Sequence, residues 1–127
     1  MNRTFLRFAI ILGATAVGLG ALGAHSLKEI LSTESLNSFE TAVRYQLFHA
    51  LLLLILSLYS GDYDFKWPLR IVFIGTLCFS GSIYLLILND QLNWGLNFLW
   101  PITPIGGITL ISGWLSLFSI KRVLKSC

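Results

Sequence analysis

An all-α fold, an integral membrane four-helix bundle, is what the sequence predicts, on three observations. Hydrophobic residues fill 55% of the 127 positions and charged residues only 12%, a balance that leaves too little polar surface for a water-soluble domain. Four long intervals carry little or no charge, and each is long enough as a helix to cross a hydrocarbon core about 30 Å thick. The basic residues gather at the ends of those intervals rather than in a stripe interleaved with aromatics. The net charge of +3 therefore reports topology and gives no sign of nucleic acid as a partner. Residues 1–127 read as a single membrane domain whose first partner is the lipid bilayer.

The interval Phe8 to Ala24 is free of charge and spans roughly 25 Å as a helix, so the first span is expected over about 5–24. Gly13, Ala16, Gly20 and Gly23 share one face there, a stripe of small residues that lets a neighbouring helix approach. Arg3 and Arg7 ahead of an apolar run, with Ala21-Leu22-Gly23 behind it, also fit a signal peptide; the glycine stripe and the similar segments downstream favour a retained helix. His25 to Arg44 is the longest polar stretch, with Leu27, Ile30 and Leu31 marking an interfacial segment over 26–36. Asn37-Ser38-Phe39-Glu40 reads as a capping box that opens a second helix over 37–60, with Ser60-Gly61 as a left-handed stop.

A third span is expected over 69–89, with Gly75, Cys78 and Ser82 on one face. From Gln91 to Trp100 an interfacial aromatic loop precedes the fourth helix, over 101–121, whose first turn holds Pro101 or Pro104, where a missing N–H does no harm. Gly106, Thr109, Gly113 and Ser116 repeat the small stripe on that helix, and Gly107, with Gly81 on the third span, is a further expected packing residue. Arg3, Arg7, Lys66, Arg70, Lys121, Arg122 and Lys125 fall on one side of this arrangement, and only Lys28 and Arg44 on the other. Both termini are thus expected in the cytoplasm. Cys78 and Cys127 follow no paired spacing and read as plain thiols.

Polar residues inside the spans are the candidate site, because an amide or imidazole in lipid is costly unless it has work to do. Tyr45, Gln46 and His49 lie on one edge of the second helix. Threading the topology brings them to the same outer half of the membrane as His25, Ser80, Ser82, Tyr84 and Thr103. Such a cluster either locks helices together by hydrogen bonds or forms a pocket for a small ligand or ion. A proton-linked role would rest on His49. Two histidines without a third ligand make a weak metal or haem site, so no metal and no cofactor are expected. With no acid inside a span to orient His49 behind Ser80 or Ser82, no catalytic residue is assigned and the chain is not expected to be an enzyme.

Several stretches resemble a known family: Gly20-Ala21-Leu22-Gly23-Ala24-His25, the run from Phe39 through His49 to Leu51, Phe79-Ser80-Gly81-Ser82-Ile83-Tyr84, and Thr103-Pro104-Ile105-Gly106-Gly107 with Gly113-Trp114. In that order they are similar to the domain-of-unknown-function 423 family, which is related to transmembrane protein 256. The resemblance implies a four-helix protein of the bacterial cytoplasmic membrane and implies no particular activity. The function expected is therefore that of a small polytopic membrane protein whose polar cluster binds a small ligand or supports packing and assembly. A larger membrane complex is one setting for it. The alternative is an oligomeric small transporter or channel, since a chain this short needs a homo-oligomer to enclose a path.

Overall fold

The structure, a computed structural model, describes residues 1–122; Lys125 and Cys127 lie outside them. Helix α1 covers Arg3–Ala24 and α2 covers Thr33–Leu58, joined by a 3₁₀ turn at Leu27–Glu29. Helix α3 (Lys66–Thr76), a π-helical segment (Leu77–Gly81) and α4 (Ser82–Leu92) run on as one span. Helix α5 (Ile102–Ser116) carries a 3₁₀ turn at each end, Asn97–Leu99 and Leu117–Ser119. Four stretches, Arg3–Ala24, Thr33–Leu58, Lys66–Leu92 and Asn97–Ser119, are long and apolar enough to cross a membrane.

The local structure differs from expectation at both ends of α2 and in the middle of the third span. Ser32, not Asn37, caps α2, accepting the N–H of Ser35 at 3.2 Å with Glu34 in the first turn. No glycine or proline interrupts the residues between, so the helix extends back through the expected box and leaves Asn37 and Glu40 inside it. At its other end α2 stops at Leu58 in an extended Tyr59, without a left-handed Ser60-Gly61 stop. The amide of Asn2 reaches across to the Ser57 carbonyl at 2.8 Å, so a neighbouring helix satisfies the end that a left-handed cap would have served. The third span, expected as regular helix, widens into π geometry at its middle.

α2 and the α3–α4 span form the centre, with α1 laid along α2 and α5 along α3 and the π segment. Of the most apolar stretch of α1 only 11% of residues are buried, and of α5 17%, against 39% for α2, so the two outer helices mainly face lipid. Gly13, Gly20 and Gly23 of α1 face Ala50, Val43 and Phe39 of α2 in turn, which fixes an antiparallel register. The apolar core, Ala9, Leu53, Leu69, Val72 and Leu110, lies in the half of the bundle nearer the termini, sealed by Phe5, Phe8 and Phe73. At that end the Asp64 amide bonds the Lys121 carbonyl and Tyr63 pairs with Arg122, so the chain's beginning and its last described residues share one end.

Candidate functional site

Polar side chains meet in four separate ties rather than one cluster. Gln46, midway along α2, uses every group of its amide. Its Nε2 donates to the Leu12 carbonyl at 2.9 Å and to Thr15 Oγ1 at 2.8 Å, while Oε1 accepts the Tyr84 hydroxyl at 2.9 Å. One buried side chain thereby joins α1, α2 and α4. This is the economical solution to an amide in an apolar bundle, since each unmade bond there leaves a costly orphan.

His49, also buried, lies about 5 Å further along α2 toward the termini. Its Nδ1 lies 2.7 Å from the Tyr45 carbonyl and its Nε2 3.2 Å from Trp114 Nε1. A carbonyl only accepts and an indole N–H only donates, so the ring is the neutral tautomer with its proton on Nδ1. Neither nitrogen is left to ligate an ion. Tyr45 stacks on Phe79 at a centroid distance of 4.5 Å and is itself 42% exposed, so it borders the cluster as an aromatic and brings no hydroxyl into it.

The hydroxyls of Ser80 and Ser82 serve the helix joints. Ser80 Oγ donates to the Ala42 carbonyl at 2.8 Å, tying the π segment to α2. Ser82 Oγ donates to the Phe79 carbonyl at 3.0 Å and lies 2.6 Å from Thr103 Oγ1, so the Thr103 hydroxyl supplies the proton that joins α4 to α5. Among the described residues no buried side-chain nitrogen or oxygen lacks a partner, and no group of three His, Cys, Asp or Glu residues could hold a metal.

His25 stands apart from these ties. It ends α1, exposed, beside Ser26, Lys28 and Glu29. By the α1–α2 register it is about 17 Å from His49 along the bundle axis, because His49 is level with the Gly13–Ala50 contact. Among the small residues, Gly75 and Gly113 bring α3 and α5 together, and Gly106 brings α5 onto the π segment, where an added Cβ would collide with the Phe79 amide nitrogen. Gly107 makes ordinary contact with the Phe79 ring, and Gly81 faces open space, so Gly81 is not a packing residue.

An open cleft of about 1150 Å³ lies at the end of the bundle away from the termini, between α2, α4 and the start of α5. One wall is the face of α2 bearing Glu34, Ser38 and Thr41, and the opposite wall is the face of α4 bearing Ile83, Ile87 and Asp90. Thr103 and Pro104 line it at the root of α5, with Trp100 beside them. Asn89 steadies α4 there: its Oδ1 accepts the Leu96 amide at 2.8 Å and its Nδ2 donates to Asn97 at 3.1 Å. Sequence reasoning missed Thr15 and Trp114 as partners and Glu34 and Asp90 as cleft walls. The i, i+4, i+7 spacing of Glu34, Ser38 and Thr41 was a readable signal for the last of these, once α2 was known to start at Thr33.

The family model described as "Protein of unknown function (DUF423)" matches residues 19–107. The chain is 41% identical over 118 residues to a UPF0382 membrane protein of Staphylococcus aureus (strain bovine RF122 / ET3-1), covering 88% of this chain and 93% of that protein. It is 35% identical over 115 residues to a UPF0382 membrane protein of Schizosaccharomyces pombe, covering 90% and 98%. Similarity to the UPF0382 inner membrane protein YgdD of Escherichia coli (strain K12) is 34% over 116 residues, covering 89% and 85%. No solved structure matches the chain.

Proposed function

The chain belongs to the DUF423 family, and from that premise we propose that this small multi-pass membrane protein is a non-enzymatic binding protein whose ligand, a small amphipathic molecule, occupies the cleft between α2, α4 and α5. The observation that carries this reading is the cleft itself, open between three helices whose joints are already complete. The Ser80–Ala42 and Ser82–Thr103 bonds brace its base, so the space needs no rearrangement to receive a ligand. The four ties then serve packing, and His49 contributes by holding α5 through Trp114 rather than by chemistry. Engagement of both ring nitrogens, and the carbonyl and hydroxyl partners of Ser80 and Ser82, support a non-enzymatic role.

The same reading places both termini in the cytoplasm and the cleft on the outer side, supported by the excess of Lys and Arg at the terminal end. Purification in nanodiscs with mass spectrometry of the co-purified small molecules tests the binding role. Thr41→Trp and Ile83→Trp each fill the cleft, while Ile55→Trp, on an exposed face of α2 nearer the termini, serves as control. A molecule present with the native chain and the control, and absent from both cleft variants, is the expected result. A native chain carrying nothing that either variant displaces overturns the proposal.

A further inference from the structure

We propose that the occupant of the cleft is a lipid whose headgroup ends in an ammonium, with the ammonium between Glu34 and Asp90 and the acyl chain running down toward Ile83 and Pro104. The inference rests on the cleft as the binding site and adds the class of ligand.

The order of residues along the two walls carries it. Glu34 and Thr41 are seven residues apart on α2, and Asp90 and Ile83 are seven apart on α4. The helices are antiparallel, so both carboxylates come to the open rim and both partners lie about 10 Å deeper. The cleft is therefore acidic at its mouth and apolar on its α4 wall below, where Ile83 and Ile87 line it together with Pro104.

That gradient matches an amphiphile entering with its head at the interface and its tail in the bilayer. Its sign selects the head. No Lys, Arg or His lines the cleft, and among the described residues neither Glu34 nor Asp90 makes an ion pair or a side-chain hydrogen bond. Two carboxylates facing one space at the membrane interface favour a cation and disfavour a phosphate with no amine. Trp100, exposed and lining the same cleft, adds an aromatic ring of the kind that attracts an ammonium. A lipid is the source of that ammonium because the cleft opens between membrane-spanning helices, where lipid is the solvent and reaches the apolar wall without crossing water.

The test titrates the purified full-length chain with phosphatidylethanolamine and, separately, with phosphatidylglycerol of the same acyl chains, and reads bound lipid by native mass spectrometry. Phosphatidylethanolamine is expected to be retained about fivefold more than phosphatidylglycerol at low salt, the scale of two partly exposed charge pairs. In Glu34→Gln/Asp90→Asn that ratio is expected to fall to about one, with only a small fall in the thermal midpoint, because both side chains are at the surface and only the loss of Glu34 from the first turn of α2 touches a helix dipole. Equal retention of the two lipids by the native chain overturns the proposal, as does a preference for phosphatidylglycerol or a preference that survives in the double variant. The native-chain comparison decides the matter even if the double variant fails to fold. If Thr41→Trp and Ile83→Trp still displace a co-purified molecule while the lipid preference is absent, the cleft stands and the ammonium assignment falls. If they displace nothing, the cleft reading falls first.

Discussion

Gln46 shows what allows a primary amide to persist in the middle of a membrane helix: three good acceptors and donors from two other helices close around it. Gln46→Leu is expected to cost about 3 kcal/mol, from three inter-helix bonds at about 0.6 kcal/mol each in lipid and about 1 kcal/mol for the orphaned Tyr84 hydroxyl. In a double-mutant cycle Gln46→Leu and Tyr84→Phe should be less than additive, measured by reversible unfolding in mixed micelles; full additivity would mean that the bond contributes nothing. His49 makes a spectroscopic prediction. Its fixed partners require nitrogen-15 shifts of the Nδ1-protonated tautomer, and Trp114→Phe is expected to shift the Nε2 resonance and leave Nδ1 near its place. An Nε2-protonated ring in the native protein would refute the arrangement.

Between elements, glycine decides how closely two backbones approach, and the positions are not equivalent. A Cβ at Gly106 would collide with the Phe79 backbone, and one at Gly113 meets Val72 at 2.7 Å, so α5 sits against the π segment and α3 without room for a methyl. Gly106→Ala is expected to cost more than about 2 kcal/mol, because backbone and not a flexible side chain must move. Gly18 of α1 meets nothing within 4 Å, and Gly18→Ala is expected to be neutral or to stabilise by up to about 1 kcal/mol through helix propensity. Thermal unfolding of the two variants side by side separates a packing glycine from an idle one. The contact at Gly106 also lies where the π segment departs from regular helix, and no side-chain periodicity in Leu77–Gly81 announces that departure.

For the molecule as a whole, the terminal end is closed by chain-to-chain contacts and the opposite end is open. Tyr63 pairs with Arg122, and Arg122 reaches Asp62 at 3.6 Å. In a background without Cys78 and Cys127, Tyr63→Cys and Arg122→Cys are expected to oxidise to a disulfide, since bridge partners bring Cα atoms within about 5.5 Å. Failure to cross-link would show that Arg122 does not return to the α2–α3 loop. The proposed orientation is checked in intact cells of the same background: Lys28→Cys is expected to react with an impermeant maleimide from outside, and Lys66→Cys only after permeabilisation. The reverse pattern would invert the bundle and put the cleft on the cytoplasmic face.

By itself the sequence determined the class, the number of spans and the helix-facing glycines of α1. Those rest on properties that act locally or along one helix: the absence of charge over a membrane's thickness, and small residues at helical spacing. It also singled out Gln46, His49, Ser80, Ser82, Tyr84 and Thr103 as polar residues needing partners, because burial in lipid demands them whatever the fold. Which partner each one takes was decided only by the tertiary structure. Thr15 and Trp114 lie 31 and 65 residues from the groups they bond, and nothing in their own neighbourhoods marks them. The separation of His25 from His49 and the opposition of Glu34 to Asp90 depend on helix register. Glycine contacts set the first register, between α1 and α2, and the Ser80–Ala42 and Tyr84–Gln46 bonds hold the second, between α2 and the α3–α4 span; neither is carried by a single residue.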